Sequence, residues 1–130
     1  MSLILVIDDS DAMRSMMRRV LERAGYEVAC AAGGASGVAA CREIKPDLVI
    51  TDIVMPERDG HWVIRQIRPD SATVGILAMS GGGCSVADDV LTIAGGLGAD
   101  DTIGKPFDAA QLIAKVRAIL DAQIERRAGR

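Results

Sequence analysis

Five residues of this chain have types and settings that could do chemistry together: Asp8, Asp9, Asp52, Ser80 and Lys105. Each ends or follows a short apolar run. Leu3-Ile4-Leu5-Val6-Ile7 runs into Asp8-Asp9, Asp47-Leu48-Val49-Ile50 into Thr51-Asp52, Val74 to Met79 into Ser80, and Asp101 to Ile103 leads to Lys105. Taken singly, Asp52 is an ordinary turn carboxylate at a strand end. Taken together, the set is more specific. Parallel strands of one doubly wound sheet put their C-terminal ends on one edge, where open α/β folds bind ligands. Three crowded carboxylates repel unless a cation sits among them, and hard oxygen ligands with room for water favour magnesium. A lysine and a serine hydroxyl beside them can hold anionic oxygens. The set has no histidine base and no thiol. It suits phosphoryl transfer onto a carboxylate: metal and lysine neutralise the equatorial oxygens while Asp52 attacks.

The elements that must position these residues alternate. Five consecutive apolar residues at 3–7 suit a strand covered on both faces. Ser10 or Asp11 caps a helix whose stripe is Met13, Met16, Met17, Val20, Leu21 and Ala24, closed by Gly25. Its methionines read as flexible core filler. A second strand at 26–31, a turn at Gly33-Gly34 and a small-residue helix at 35–44 follow, with Val38, Cys41 and Ile44 inward. Those glycines lack the spacing of a phosphate cradle. After the strand ending at Asp52, Pro56 helps stop the sheet ladder. A helix at 61–67 is broken by Pro69-Asp70. A strand at 74–79, a helix at 86–97, a short strand at 101–103 and a helix at 108–122 capped by Asp108 complete the chain. The pattern is a doubly wound α/β fold, five parallel strands alternating with five helices. One domain over 1–122 is expected, with a short polar tail over 123–130.

Composition narrows the function classes. A chain of 130 residues, 49% apolar and 25% charged, is one domain able to bury a core. Net charge of −3 supplies no basic field for nucleic acid, and Arg126, Arg127 and Arg130 read as a solvated cluster. Cys30, Cys41 and Cys84 show no CxxC or Cys/His pairing, which fits reduced thiols in a cytosol. No apolar run reaches the ~18 residues of a membrane span. His61, the single histidine, reads as a surface residue.

Four motifs then carry a resemblance: Val6-Ile7-Asp8-Asp9-Ser10, Asp52-Ile53-Val54-Met55-Pro56 through Gly60, Met79-Ser80-Gly81, and Gly98-Ala99-Asp100-Asp101 up to Lys105-Pro106-Phe107. From Leu3 to about Leu120 the chain resembles the receiver domain of two-component response regulators, of the chemotaxis-type single-domain kind. The resemblance implies a flavodoxin-like sheet of order 2-1-3-4-5, with the switch point between strands one and three. It implies that Asp52 accepts a phosphoryl group from a histidine kinase or phosphotransfer protein. It also implies Mg2+ held directly by Asp9 and Asp52, partly through water by Asp8, and by the Val54 carbonyl. Ser80 and Lys105 would bind the phosphoryl oxygens, and the Lys105-Pro106 bond would be cis. At Thr102 the chain departs from the resemblance: the family usually has Tyr or Phe there, as a switch on the output face.

The expected protein is a cytoplasmic, monomeric, stand-alone receiver without an output domain. It would signal by contact with a protein target rather than nucleic acid or membrane. Its only chemistry would be self-phosphorylation and slow autodephosphorylation. With Thr102 in place of a ring, the signal is expected in residues 80 to 88. Two other readings compete. A magnesium phosphohydrolase of the haloacid dehalogenase type shares an Asp nucleophile, but it usually has an acidic residue where Val54 stands and a late acidic pair. A phosphate sink or an unphosphorylated binding module would leave the acidic set without a signalling use.

Overall fold

Apolar runs without polar alternation must be covered on both faces, and helices here supply both covers. The computed structural model describes residues 2–81 and 96–128. Its elements are β1 (Leu3–Ile7), α1 (Asp11–Arg23), β2 (Glu27–Ala31), α2 (Gly34–Ile44), β3 (Leu48–Asp52), α3 (Gly60–Asp70), β4 (Gly75–Ser80), β5 (Asp101–Gly104) and α4 (Ala109–Ala128). The strands form one sheet in the order β2-β1-β3-β4-β5, every pair parallel. This is the expected doubly wound order, with its reversal between β1 and β3.

Alternation along the strands divides the core into two layers. Leu5, Ile7, Val49, Ile76 and Ala78 pack with Val38 of α2 and with Val63, Ile64 and Ile67 of α3. Ile4, Val6, Leu48, Ile50, Leu77 and Met79 point the other way, onto Met17 and Leu21 of α1 and Leu112, Val116, Ile119 and Leu120 of α4. Every residue of β3 and β4 is buried. The predicted methionine stripe is core: Met17 is buried, and Met13 and Met16 pack against the same layer.

Caps follow the sequence closely. Ser10 accepts a hydrogen bond from the Met13 N–H at 3.2 Å and begins α1. Asp108 and Gln111 form a reciprocal capping box at 2.8 and 2.9 Å and begin α4.

Two differences have physical reasons. First, α3 continues through Pro69 to Asp70. In a last turn a proline forgoes a single intrahelical bond, and the Arg68 guanidinium holds the turn beyond it. That group donates to the carbonyls of Ser71, Ala72, Val74 and Gly98 at 2.7–3.3 Å. Second, α4 does not end at Ala122 but runs to Ala128. Gln123, read as the start of a polar tail, is buried. Its amide donates to the Asp47 and Thr73 carbonyls at 2.7 and 2.8 Å, which ties the helix to the N-terminal edge of the sheet. Four of the five expected helices lie among the described residues. The expected helix at 86–97 lies outside them, except for Gly96 and Leu97, which are helical. Among the described residues no helix is long and apolar enough to cross a membrane.

Candidate functional site

Ile7 of β1 and Thr51 of β3 are register partners, so the residues after them, Asp8 just past β1 and Asp52 at the end of β3, sit side by side. Both are buried, at 0% and 7% exposure, while Asp9 is exposed. One carboxylate oxygen from each of the three lies within 4.8 Å of the others. Among the described residues this is the one group of acidic, histidine or cysteine side chains so disposed.

Lys105 reaches this cluster from the far strand. Gly104 pairs with Ser80, and the Lys105 N–H donates to the Ser80 carbonyl at 2.7 Å. The Lys105-Pro106 bond is cis. The ammonium then lies 3.2 Å from Oδ2 of Asp8 and 3.2 Å from Oδ2 of Asp52. Oδ1 of Asp8 is taken by the Ser10 N–H at 2.9 Å. Ser80 is buried at the end of β4, the strand next to β3.

Burial raises the proton affinity of Asp52. Lys105 opposes this by charge, Asp8 adds to it, and hydrogen bonds from Lys105 and the Val54 N–H oppose it further; the net direction is upward. Burial acts downward on Lys105, but Asp52 and Asp8 outweigh it, so that group is also raised. Lys105 is therefore an ammonium at neutral pH.

The loop between Asp52 and α3 is pinned at both ends. The Ile53 N–H donates to the Met79 carbonyl at 2.9 Å, and the Gly60 N–H to the Ile53 carbonyl at 2.8 Å. A Cβ on Gly60 would lie 2.4 Å from the Asp52 carbonyl and 2.7 Å from Ile53 Cα. The helix thus approaches the strand end closer than any other residue allows. Within the loop, Val54 exposes 67% of its surface, and the Arg58 guanidinium lies 5.0 Å from the Trp62 ring centroid.

The structure brings Asp8, Asp9, Asp52 and Lys105 together, and sets Ser80 and the Val54 loop on the same edge. Thr102 pairs with Ala78 inside β5 and is half-buried. The expected signalling segment, 80 to 88, lies outside the described residues beyond Gly81. Sequence reasoning placed Gly60 where a helix could begin, as the structure does, and missed one residue that shapes the site. Arg14, whose guanidinium donates to the Asp8 carbonyl at 2.7 Å, had no signal beyond its place in the first turn of a capped helix.

A 2-1-3-4-5 parallel sheet with carboxylates and a lysine at its switch point is a flavodoxin-like domain whose ligand edge suits a cation and an anion together. The chain belongs to the response regulator receiver domain family, whose profile matches residues 4–117. It is therefore a receiver domain of two-component response regulators. It is 38% identical over 117 residues to the transcriptional regulatory protein CseB of Streptomyces avermitilis, covering 90% of this chain and 48% of that protein. It is 36% identical over 117 residues to the alkaline phosphatase synthesis transcriptional regulatory protein PhoP of Bacillus subtilis, with 90% and 48% covered. The chain spans about half the length of the curated relatives it matches. Among solved structures it is similar to chemotaxis protein CheY4 of Vibrio cholerae, at a TM-score of 0.82 and 27% identity, covering 92% of this chain and 98% of that one. NtrX of Brucella abortus gives 0.91 and 29%, covering 98% of this chain and 28% of that one.

Proposed function

We propose that Asp52 accepts a phosphoryl group from a phosphohistidine of a histidine kinase or phosphotransfer protein. The observation that carries this is the Lys105 ammonium placed 3.2 Å from carboxylate oxygens of both Asp52 and Asp8, with Asp9 completing an all-oxygen cluster. Exposed Asp9 and buried Asp8 and Asp52 fit a hard cation that keeps some of its water. Asp8, Asp9, Asp52 and the Val54 carbonyl would hold Mg2+. When bound, it supplies positive charge at the equatorial phosphoryl oxygens.

An Asp52 carboxylate oxygen forms the new O–P bond. The N–P bond to the donor imidazole breaks, and its electron pair stays on that nitrogen. Lys105 takes one phosphoryl oxygen, and the Ser80 hydroxyl another. The pinned 53–60 loop holds the attacking oxygen in place, so little reorganisation is needed at the moment of transfer.

Charge on the new group then changes contacts with a protein target. The receiver domain, of net charge −3, works by protein contact rather than by binding nucleic acid or membrane, and acts in the cytoplasm as a monomer. Relatives named as DNA-binding are about twice its length. Val54 stands where a phosphohydrolase would need a proton donor, which favours the receiver over an enzyme that turns over phosphate esters. The test is intact-mass analysis after incubation with acetyl phosphate. One phosphoryl group should appear with Mg2+ and none after chelation. Equal labelling after chelation contradicts the reading.

A further inference from the structure

Arg14 lies in the first turn of α1, and its side chain is 19% exposed. One arm donates to the Asp8 carbonyl at 2.7 Å, and the other is ion-paired with Asp11. The Asp8 carbonyl and the Asp9 N–H belong to one planar peptide unit, so whatever fixes that carbonyl fixes the plane from which Asp9 departs. Asp8 is independently held at its other polar atoms. Its N–H donates to the Ala31 carbonyl at 3.2 Å, and its carboxylate is shared between Ser10 and Lys105. Asp9 is the exposed member of the acidic cluster. Its aim depends on the peptide before it.

We infer that Arg14 is a positioning residue for the divalent cation, acting through the Asp8–Asp9 peptide rather than through its charge. The fork of the guanidinium is what matters. Asp11 anchors one arm so that the other meets the carbonyl in one orientation, which a flexible ammonium cannot reproduce. This rests on the reading of Asp8, Asp9 and Asp52 as the Mg2+ site.

The two roles for Arg14 have opposite signs. A guanidinium acting through space repels Mg2+, so its removal would tighten binding. A guanidinium that aims Asp9 strengthens binding, so its removal weakens it. Calorimetric titration of Mg2+ into wild type, Arg14→Met, Arg14→Lys and Asp11→Asn separates them. Arg14→Met should bind Mg2+ roughly tenfold more weakly, the scale of losing an outer-shell contact to a metal ligand. Arg14→Lys should fall between Met and wild type, and Asp11→Asn should weaken binding less than Arg14→Met. At saturating Mg2+ the acetyl phosphate labelling rate of Arg14→Met should return toward wild type. Unchanged or tighter binding by Arg14→Met overturns the inference. If that variant does not fold, Arg14→Lys decides: binding equal to wild type overturns the inference. Wild type that binds no Mg2+, or binds it equally after Asp52→Asn, sinks the site reading itself, and this inference with it. Wild-type binding lost in Asp52→Asn but kept in Arg14→Met sinks only the role of Arg14.

Discussion

The Lys105 ammonium lies 3.2 Å from Oδ2 of Asp52, and the same ammonium is shared at 3.2 Å with Oδ2 of Asp8. A residue just after the last strand thus neutralises carboxylates at the ends of the first and third. Without it, two buried carboxylates face each other.

Lys105→Met therefore has three expected consequences. Without Mg2+ the protein loses about 2 kcal/mol, less than a fully buried pair would lose because the ammonium is 18% exposed. Mg2+ binds more tightly, since a competing cation is gone. Labelling of Asp52 slows roughly a hundredfold, the scale of removing one oriented donor from a transferring group. Denaturant melts, calorimetry and mass-resolved time courses check these in turn. Looser Mg2+ binding would contradict the shared-cation geometry.

Asp52 is raised above the ordinary carboxyl value of 3.8, first by burial. A carboxyl raised on folding contributes stability that is full below 3.8 and is lost as pH rises through its folded value. Asp52→Asn cannot ionise. Without Mg2+ it should melt higher than wild type at pH 7. The gap should close as pH falls toward 4, and added Mg2+ should stabilise wild type but not the variant. A gap that widens on acidification would reverse the assigned direction.

Water that hydrolyses the acyl phosphate must approach past position 54, where Val54 is exposed, apolar and β-branched. It cannot orient that water by hydrogen bonding. The phosphoprotein should be long-lived, and Val54→Asn should shorten its lifetime. A lifetime that is equal or longer in Val54→Asn rules out this account.

Much of this was legible in the residues. The β1 and β3 runs, ending on carboxylates, needed only their apolar continuity to be placed, and the capping roles of Ser10 and Asp108 followed from side-chain chemistry. What stayed hidden were side chains that serve distant backbone. Arg14 on the Asp8 carbonyl, Gln123 on the Asp47 and Thr73 carbonyls, and Arg68 across the turn after α3 have no period and no local partner type. Gln123 also explains why the end of α4 was misplaced. A polar residue past an apolar stripe looks like the start of a tail until its two carbonyl partners are seen.

Gly60 offers a purely steric test of how the site is shaped. Gly60→Ala places a methyl against the Asp52 carbonyl and Ile53 Cα, which are backbone atoms with no room to yield. The cost should be about 1–3 kcal/mol of stability. Mg2+ binding should weaken as well, because the displaced loop carries the Val54 carbonyl. Thermal melts and Mg2+ titrations check both. Unchanged Mg2+ affinity would show that the loop contributes no ligand.

The most direct test of the central claim is chemical trapping of the acyl phosphate. After acetyl phosphate and Mg2+ treatment, borohydride should reduce the phosphorylated side chain to homoserine, and peptide mass mapping should find it at position 52. Asp52→Asn should yield no homoserine anywhere. Homoserine at Asp8, Asp9 or elsewhere in the wild type, or stoichiometric labelling of Asp52→Asn, would contradict the assignment of Asp52 as the acceptor.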